Sequence, residues 1–547
     1  MLFQKSQKLS KWLVHFSHLL FIFSVIALLF SGLRIAVANE PNLIWLSMAL
    51  PQGNIHLWHF RFAFILALAC ILYAVASILR KRLPPVRGKS KLTTTFQMTH
   101  YLGLVLLSTS LVTGTHLFFG IQFFPIELWL ATHLFSAFGF VLYIVIHGLL
   151  AFSARPWRRV FDVFLVKIPS KPISISIIIA VVSLGLYSVL SLSQPDVLIV
   201  YQTQEKIDLD GDARENIWQK TPTTHIQTYQ GYQHPSKGTQ VTVQAAYDAE
   251  NAYFLISWPD ETRSQTHLPL IKTNEGWSVI QSGTKYADEN EMYEDKFAIM
   301  LSASSQLAGA GTVHLGPSPV DRQPSPPNGR GLHYTTDNVI TDVWHWKSVR
   351  TGLSLAQVDD NFFGPAIPSG SEYKRYTGGY QKDLDDCEHL IRWNGSDYET
   401  KPECGGFVMN WQIYDDDFIT PIRLPKNPKL LSRLGEIDTD PTTSDFGSWW
   451  LNWSDTIAYN PDDDTYPVGT IMPSVLSLGP FSQGRGDVSA VGYWRDGQWQ
   501  LELKRALNTQ SKYDLAIENG IYFWVSAFDH SQTRHSYHIR PLKLVLE

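Results

Sequence analysis

Apolar runs of membrane length dominate the first third of the chain and are missing from the rest. Five stretches, Trp12–Val37, Ile55–Leu79, Thr95–Phe119, Glu127–Phe152 and Ile173–Leu192, are almost free of charge. Each runs to about 20 residues or more, long enough for a helix to cross a hydrocarbon layer of about 30 Å. The first lacks a small-residue cleavage site and is too long for a signal peptide, so it reads as a retained anchor. Beyond residue 195 the pattern shifts to short β-type runs separated by Gly, Pro, Asn and Asp. Examples are Val241–Ala246, Ala252–Trp258, Lys296–Leu301, Gln498–Leu503 and Tyr522–Phe528. That spacing, with little helical periodicity, predicts an all-β sandwich with long loops. Gly316–Gly331 is proline-rich and must be loop, and a second turn-rich insertion runs from about Pro365 to Gly406. No internal repeat stands out. The expected architecture is a membrane α-helical bundle of four spans (1–165), a fifth span with its linker (166–195), and a β-sandwich domain (196–547).

Charge adds an orientation. Lys5, Lys8 and Lys11 precede the first run, while Arg80, Lys81, Arg82, Arg87, Lys89 and Lys91 fill the loop after the second. Arg155, Arg158, Arg159, Lys167 and Lys171 follow the fourth, and the opposite loops hold Glu40, Glu127 and few cations. Cations stay on the cytoplasmic side, so the N-terminus is expected there. Everything after Gln194 is then outside: the periplasm, for a protein of a bacterial inner membrane. With its basic clusters explained by topology and a net charge of −5, the chain shows no nucleic-acid patch. The cysteines agree. Cys70 lies inside the second run as a small apolar residue. Cys387 and Cys404 lie in the exported part, where a disulfide can persist.

Candidate chemistry begins with the histidines of the spans. His133 and His147 are fourteen residues apart, close to four helical turns, so both project from one face about 21 Å apart. Because the helices alternate in direction, His18 falls at the level of His147, and His59 at the level of His133. Ionisable groups in spans are costly and usually face a site. Two levels with two histidines each suit two haems with paired histidine ligands. The bland alternative is interfacial histidines bonded to carbonyls or headgroups; His15, His56, His100 and His116 read better as interfacial or as lying near haem propionates, and His56 remains the substitute for His59.

The arrangement resembles the four-helix di-haem cytochrome b subunits of nickel–iron hydrogenases and formate dehydrogenases, a cytochrome b561-like superfamily. The residues carrying it are His18 with Ser31-Gly32, His59-Phe60, Thr113-Gly114, and the His133/His147 pair, over roughly residues 8–155. The resemblance implies one iron ligand each from helices 1 and 2 and two from helix 4. In the exported part, several phrases follow one another in order. They include Ile207-Asp-Leu-Asp-Gly-Asp with Trp218, Trp258-Pro-Asp-Glu-Thr, Tyr293-Glu-Asp-Lys-Phe and Asp342-Val-Trp-His-Trp-Lys347. Gly486-Asp-Val, Trp494-Arg-Asp-Gly-Gln-Trp499 and Ala527-Phe-Asp529 come after them. This series resembles the haem-binding gamma subunit of ethylbenzene dehydrogenase, which implies a β-sandwich holding one b-type haem, there between a Met and a Lys.

Some relatives carry Cys-x-x-Cys-His in a loop where this chain reads Ala310-Gly-Thr-Val313-His314. Covalent attachment is excluded there, while His314 could still bind the iron of a non-covalent haem. For the opposite ligand the choices are Lys504, Met472 and Lys347, and a Lys ligand must be neutral, hence buried. Asp208, Asp210 and Asp212 mimic the start of a calcium loop, but Gln219 and Ala213 replace the Glu and Gly an EF-hand needs. That leaves open calcium held in another geometry. The expected function is electron transfer between the quinone pool and a periplasmic redox protein or enzyme, through two membrane haems and a periplasmic one. Two rivals stay open. The sandwich could be a haem-free carbohydrate- or ligand-binding module, or its haem could reduce a small substrate directly.

Overall fold

The computed structural model describes residues 2–39, 50, 55–79, 91–119, 126–154, 176, 179, 183, 186, 187, 196–228, 239–280, 292–305, 339–364, 380–383, 391–393, 398–400, 404–414, 418–433, 449–531, 535, 536, 538 and 541–547. The chain divides into two compact units, Met1–Gln194 and Pro195–Glu547.

The first unit contains four long helices, α1 (Leu2–Asn39), α2 (Ile55–Leu79), α3 (Lys91–Phe119) and α4 (Ile126–Ala154). Each is long and apolar enough to cross a membrane. Their packing centre takes one buried side chain from each: Val25, Leu66, Leu107 and Phe140. The opposite faces present Phe23, Ile71, Val105, Phe135 and Leu142 outward. An apolar exterior of this extent belongs in lipid rather than water. Small residues permit close approach of the helices. A Cβ on Gly103 would lie 2.2 Å from the Tyr143 ring, and one on Gly139 would lie 3.1 Å from Leu106. Of the expected fifth span, Ser176, Ile179, Ser183, Leu186 and Tyr187 are helical, and the remainder lies outside the described residues.

The second unit is built on a twelve-stranded sheet. In chain order its strands are β1 (Asp196–Gln202), β2 (Thr224–Gln227), β3 (Gln240–Tyr247), β4 (Asn251–Pro259), β5 (Lys296–Ser302), β6 (Thr341–Lys347), β7 (Asp359–Phe363), β8 (Tyr380–Lys382), β9 (Ser489–Arg495), β10 (Gln498–Ala506), β11 (Tyr522–Phe528) and β12 (Leu542–Leu546). Their spatial order is β8-β7-β6-β5-β11-β12-β1-β3-β4-β10-β9, with β2 on β3. The residues leading into β7 then bond to the far edge: Gln357 bridges Ser489, and the Val358 and Ala490 amides donate to Val488 and Ala356. The sheet thereby closes over its own core. Alternation puts Phe254, Ile256 and Trp258 of β4 and Trp499, Leu501 and Leu503 of β10 on the inner face. All five strands expected from the sequence are present.

Aromatic packing centres this core. Trp258 stacks on Phe297 at 4.5 Å between ring centres, and Trp346 meets Trp499 edge-on at 5.0 Å. A second core gathers Leu270, Trp277, Ile419, Leu424, Met472 and Leu476 under short strands inserted after β4 and after β8. Cys404 is disulfide-bonded and Cys70 is free. Cys387, the remaining cysteine of three, lies outside the described residues.

Candidate functional site

Two helix pairs in the bundle build the same local unit. On α1, Ser31 Oγ lies 2.9 Å from Nδ1 of His59 on α2; on α3, Thr113 Oγ1 lies 2.9 Å from Nδ1 of His133 on α4. Each hydroxyl spends its own proton on the preceding helical turn. Ser31 donates to the Ala27 carbonyl at 2.8 Å, and Thr113 to the Thr109 carbonyl at 2.7 Å. The hydroxyl oxygens therefore accept from the imidazoles, which puts the proton on Nδ1 and the lone pair on Nε2. That is the tautomer and the outer-shell bond a metal-binding histidine needs.

The neighbouring glycines complete the unit. A Cβ on Gly32 would sit 3.2 Å from His59 Cε1, and one on Gly114 would sit 3.1 Å from His133 Cε1. The rings thus lie in cradles that only a missing side chain keeps open. The two imidazole centres are 6.4 Å apart with planes at 78°. Two metal–nitrogen bonds of about 2 Å, with half a ring beyond each nitrogen, span about 6 Å. These residues fit an iron held between two histidines.

The unit is also a repeat that sequence reading passed over. His18, Ser31 and Gly32 recur on α3 as His100, Thr113 and Gly114, each 82 positions later, and His59 recurs on α4 as His133, 74 later, while His147 stands where α2 has Tyr73. The signal was the hydroxyl–glycine step thirteen residues after a histidine in two spans.

At the other level, three histidines gather instead of two. The His147 ring lies 6.2 Å from that of His100, tilted by 39°, and Nδ1 of His147 is 3.3 Å from the Tyr143 hydroxyl one turn back. His18 interacts electrostatically with His100 and His15. His100, expected at the interface or near haem propionates, thus belongs to this group. His116 stacks on Trp129 at 3.9 Å. The side chain of His56 lies outside the described residues.

The ligands expected in the C-terminal domain are dispersed. His314 lies outside the described residues. Met472 is fully buried in the second core, with Asn410 Nδ2 3.8 Å from its sulfur. Lys504 extends over the Tyr253 ring (5.8 Å) and alternates with the core residues Leu503 and Arg505 of β10. Met472 and Lys504 therefore face different packing clusters. Lys347 is buried and paired with Asp359, which also takes Arg485 Nε at 2.7 Å. Burial pushes the Lys347 amine down to about 8, and Asp359 opposes that shift. A more suitable imidazole was overlooked in the same phrase. His345 stacks on Phe528 at 5.3 Å, and its buried Nε2 has no hydrogen-bond partner among the described residues. Burial, with Lys347 and Lys296 nearby, holds it neutral. Its place on β6 among alternating tryptophans had made it look like an ordinary strand residue.

The family model for ethylbenzene dehydrogenase matches residues 215–540, and that for prokaryotic cytochrome b561 matches residues 10–164. No curated protein matches. Among solved structures, a carbohydrate-binding module of family 9 from Caldicellulosiruptor kristjanssonii, in complex with glucose, is 8% identical. It covers 64% of this chain and 95% of its own, with a TM-score of 0.22. Its complex with cellotriose is 9% identical and covers 64% of this chain and 93% of its own, with a TM-score of 0.21. Likeness at that level carries no argument about function.

Proposed function

We propose, since the chain belongs to the ethylbenzene dehydrogenase family and carries a prokaryotic cytochrome b561 segment ahead of that domain, that this membrane b-type cytochrome moves electrons between the quinone pool and a periplasmic redox partner. Two haems lie in the bundle and a third in the C-terminal domain. His59 and His133 hold the membrane haem nearer the periplasm, and His18 and His147 the one nearer the cytoplasm. The loop cations support that orientation, and a fifth span puts the C-terminal domain on the periplasmic side. Haem iron supplies reversible one-electron chemistry when bound. The chain supplies the rest: Ser31 and Thr113 hold the Nδ1 protons, Gly32 and Gly114 leave room for the rings, and the lipid-facing residues exclude water.

The observation that carries the reading is the facing of His59 and His133 at 6.4 Å, each with its Nδ1 on a hydroxyl. The 6.2 Å approach of His100 to His147 favours a second reading at the cytoplasmic level, in which His100 replaces His18. For the C-terminal haem, His345 joins His314, Lys347, Lys504 and Met472 as a ligand to test.

Haem counting on the full-length chain in detergent tests both parts. Three haems per chain are expected, falling to two in His133→Ala with the cytoplasmic-side spectrum intact. Two haems in the wild type would remove the C-terminal haem and favour a binding module. No loss in His133→Ala would overturn the pairing.

A further inference from the structure

Four aspartates converge at the seam where the sheet closes. Asp342 stands on β6, Asp360 on β7, Asp487 in the turn before β9, and Asp514 in the connection from β10 to β11. One carboxylate oxygen from each of Asp342, Asp360 and Asp514 lies within 4.8 Å of the others. The Asp487 carboxyl reaches both Asp360 and Asp514.

Protein donors satisfy little of this group. Arg505 and the Leu515 amide bond one oxygen of Asp342, and the Thr509 hydroxyl donates to Asp514 at 2.5 Å. Both oxygens of Asp360, Oδ1 of Asp342 and both oxygens of Asp487 have no donor among the described residues. Asp342 and Asp360 are fully buried. A second acidic group makes the contrast. Asp295, beside Asp529 and His530, receives the Ser264 amide, the Trp499 indole N–H and the His530 amide. Its oxygens are engaged by the protein, so it asks for nothing more. The acids of the Asp208–Asp212 turn are likewise answered: Lys206 pairs with Asp208, Arg214 pairs with Asp212, and Asp210 accepts from the Asp212 amide at 2.8 Å.

Four carboxylates facing one guanidinium in a largely buried site repel one another unless protons or a cation neutralise them. The donors are all oxygen, which excludes the soft and imidazole-seeking metals. One oxygen from each of three carboxylates within 4.8 Å of the others can share a single ion, and acids drawn from two strands and two loops suit calcium's larger, irregular shell better than magnesium's strict octahedron. We propose that Asp342, Asp360, Asp487 and Asp514 form a calcium site that ties β6 and β7 to the turn before β9 and the β10–β11 connection, locking the closure of the sheet.

The test uses the full-length chain in detergent, stripped with chelator and titrated with calcium chloride. One calcium per chain is expected, with the unfolding temperature of the C-terminal domain rising by roughly 3–6 °C at a hundredfold excess over the dissociation constant. Magnesium should give a smaller rise. Asp360→Asn should abolish calcium binding yet leave the stripped protein at least as stable as the stripped wild type, because one repelling charge is gone. Asp208→Asn should keep the full calcium response. An unfolding temperature indifferent to chelator and calcium, with less than a tenth of a calcium per purified chain, would overturn the site and leave the carboxyls sharing protons. If Asp360→Asn does not fold, the wild-type comparison decides alone.

Discussion

Replacing His267 by asparagine should remove one identifiable share of the acid sensitivity of the C-terminal domain. His267 is buried, its Nδ1 lies 3.1 Å from Glu294, and the Tyr293 ring packs edge-on at 4.5 Å. Burial, helped by the Arg350 guanidinium, pushes its pKa from 6.5 down to about 4, while Glu294 pulls the other way. Above pH 6.5 the imidazole is neutral in both folded and unfolded chains and contributes no pH dependence. Between 6.5 and 4 the unfolded chain takes a proton the folded one refuses, so stability falls as pH falls. A shift of that size costs about 2 kcal/mol at pH 5 relative to pH 8. Other groups act oppositely. Burial and the neighbouring Asp529 carboxylate hold Asp295 up at about 7, so this group gains stability as pH drops through that region. The raw pH profile therefore mixes signs, and the informative quantity is wild type minus variant. Asparagine can still donate to Glu294 but does not titrate. Opening free energies from hydrogen exchange of β4 and β10 amides, measured on the full chain at pH 8 and pH 5, give that difference. Equal losses in wild type and His267→Asn would refute the reasoning.

Thr113→Val removes the acceptor for His133 Nδ1–H at nearly constant volume, so the haem should stay bound while its potential rises on the order of tens of millivolts, read by optical redox titration. An unchanged potential would show that the hydroxyl does not tune the histidine. Gly114→Ala brings a Cβ to 3.1 Å from the His133 ring; a displaced ring should lower occupancy of that haem alone, visible in the haem count. His100→Ala discriminates the readings at the other level: retention of all haems keeps His18 as the partner of His147, whereas loss of one assigns that role to His100. Gly492→Ala puts a Cβ 2.3 Å from the Trp346 ring, and overpacking of that kind should cost about 1–3 kcal/mol in the domain's opening free energy.

Much of the bundle was legible because a span must be apolar over its whole length and a buried histidine there stands out against it. Four helices fell where the runs ended, to within a few residues except at the N-terminal ends of α1 and α3, which start earlier in polar sequence. The two-level placement of histidines needed only helix geometry and alternation. What stayed hidden was the partner of each imidazole. Ser31 and Thr113 look like ordinary small polar residues of helix contacts, and their role depends on which helix packs alongside. The approach of His100 to His147 stayed hidden for the same reason: depth along a helix can be counted, but rotation about it is decided by packing.

The C-terminal domain divides in the same way. Alternation in Ala252–Trp258 and Gln498–Leu503 determines strands with one apolar face, because side chains of a strand must point to opposite sides. Which strands pair, and across what separation in the chain, is a property of the closed sheet. Asp342 and Asp514 are 172 positions apart, yet closure brings their carboxylates together. No local pattern announces that convergence, since each aspartate alone looks like a strand-end or turn residue. Local period and polarity suffice for the division into a helical and a sheet-rich part, for the four apolar helices and for the order of histidines along them. Tertiary structure alone decided which imidazoles face each other, which hydroxyls orient them and which acids crowd one buried seam, because those depend on contacts between segments far apart in the chain.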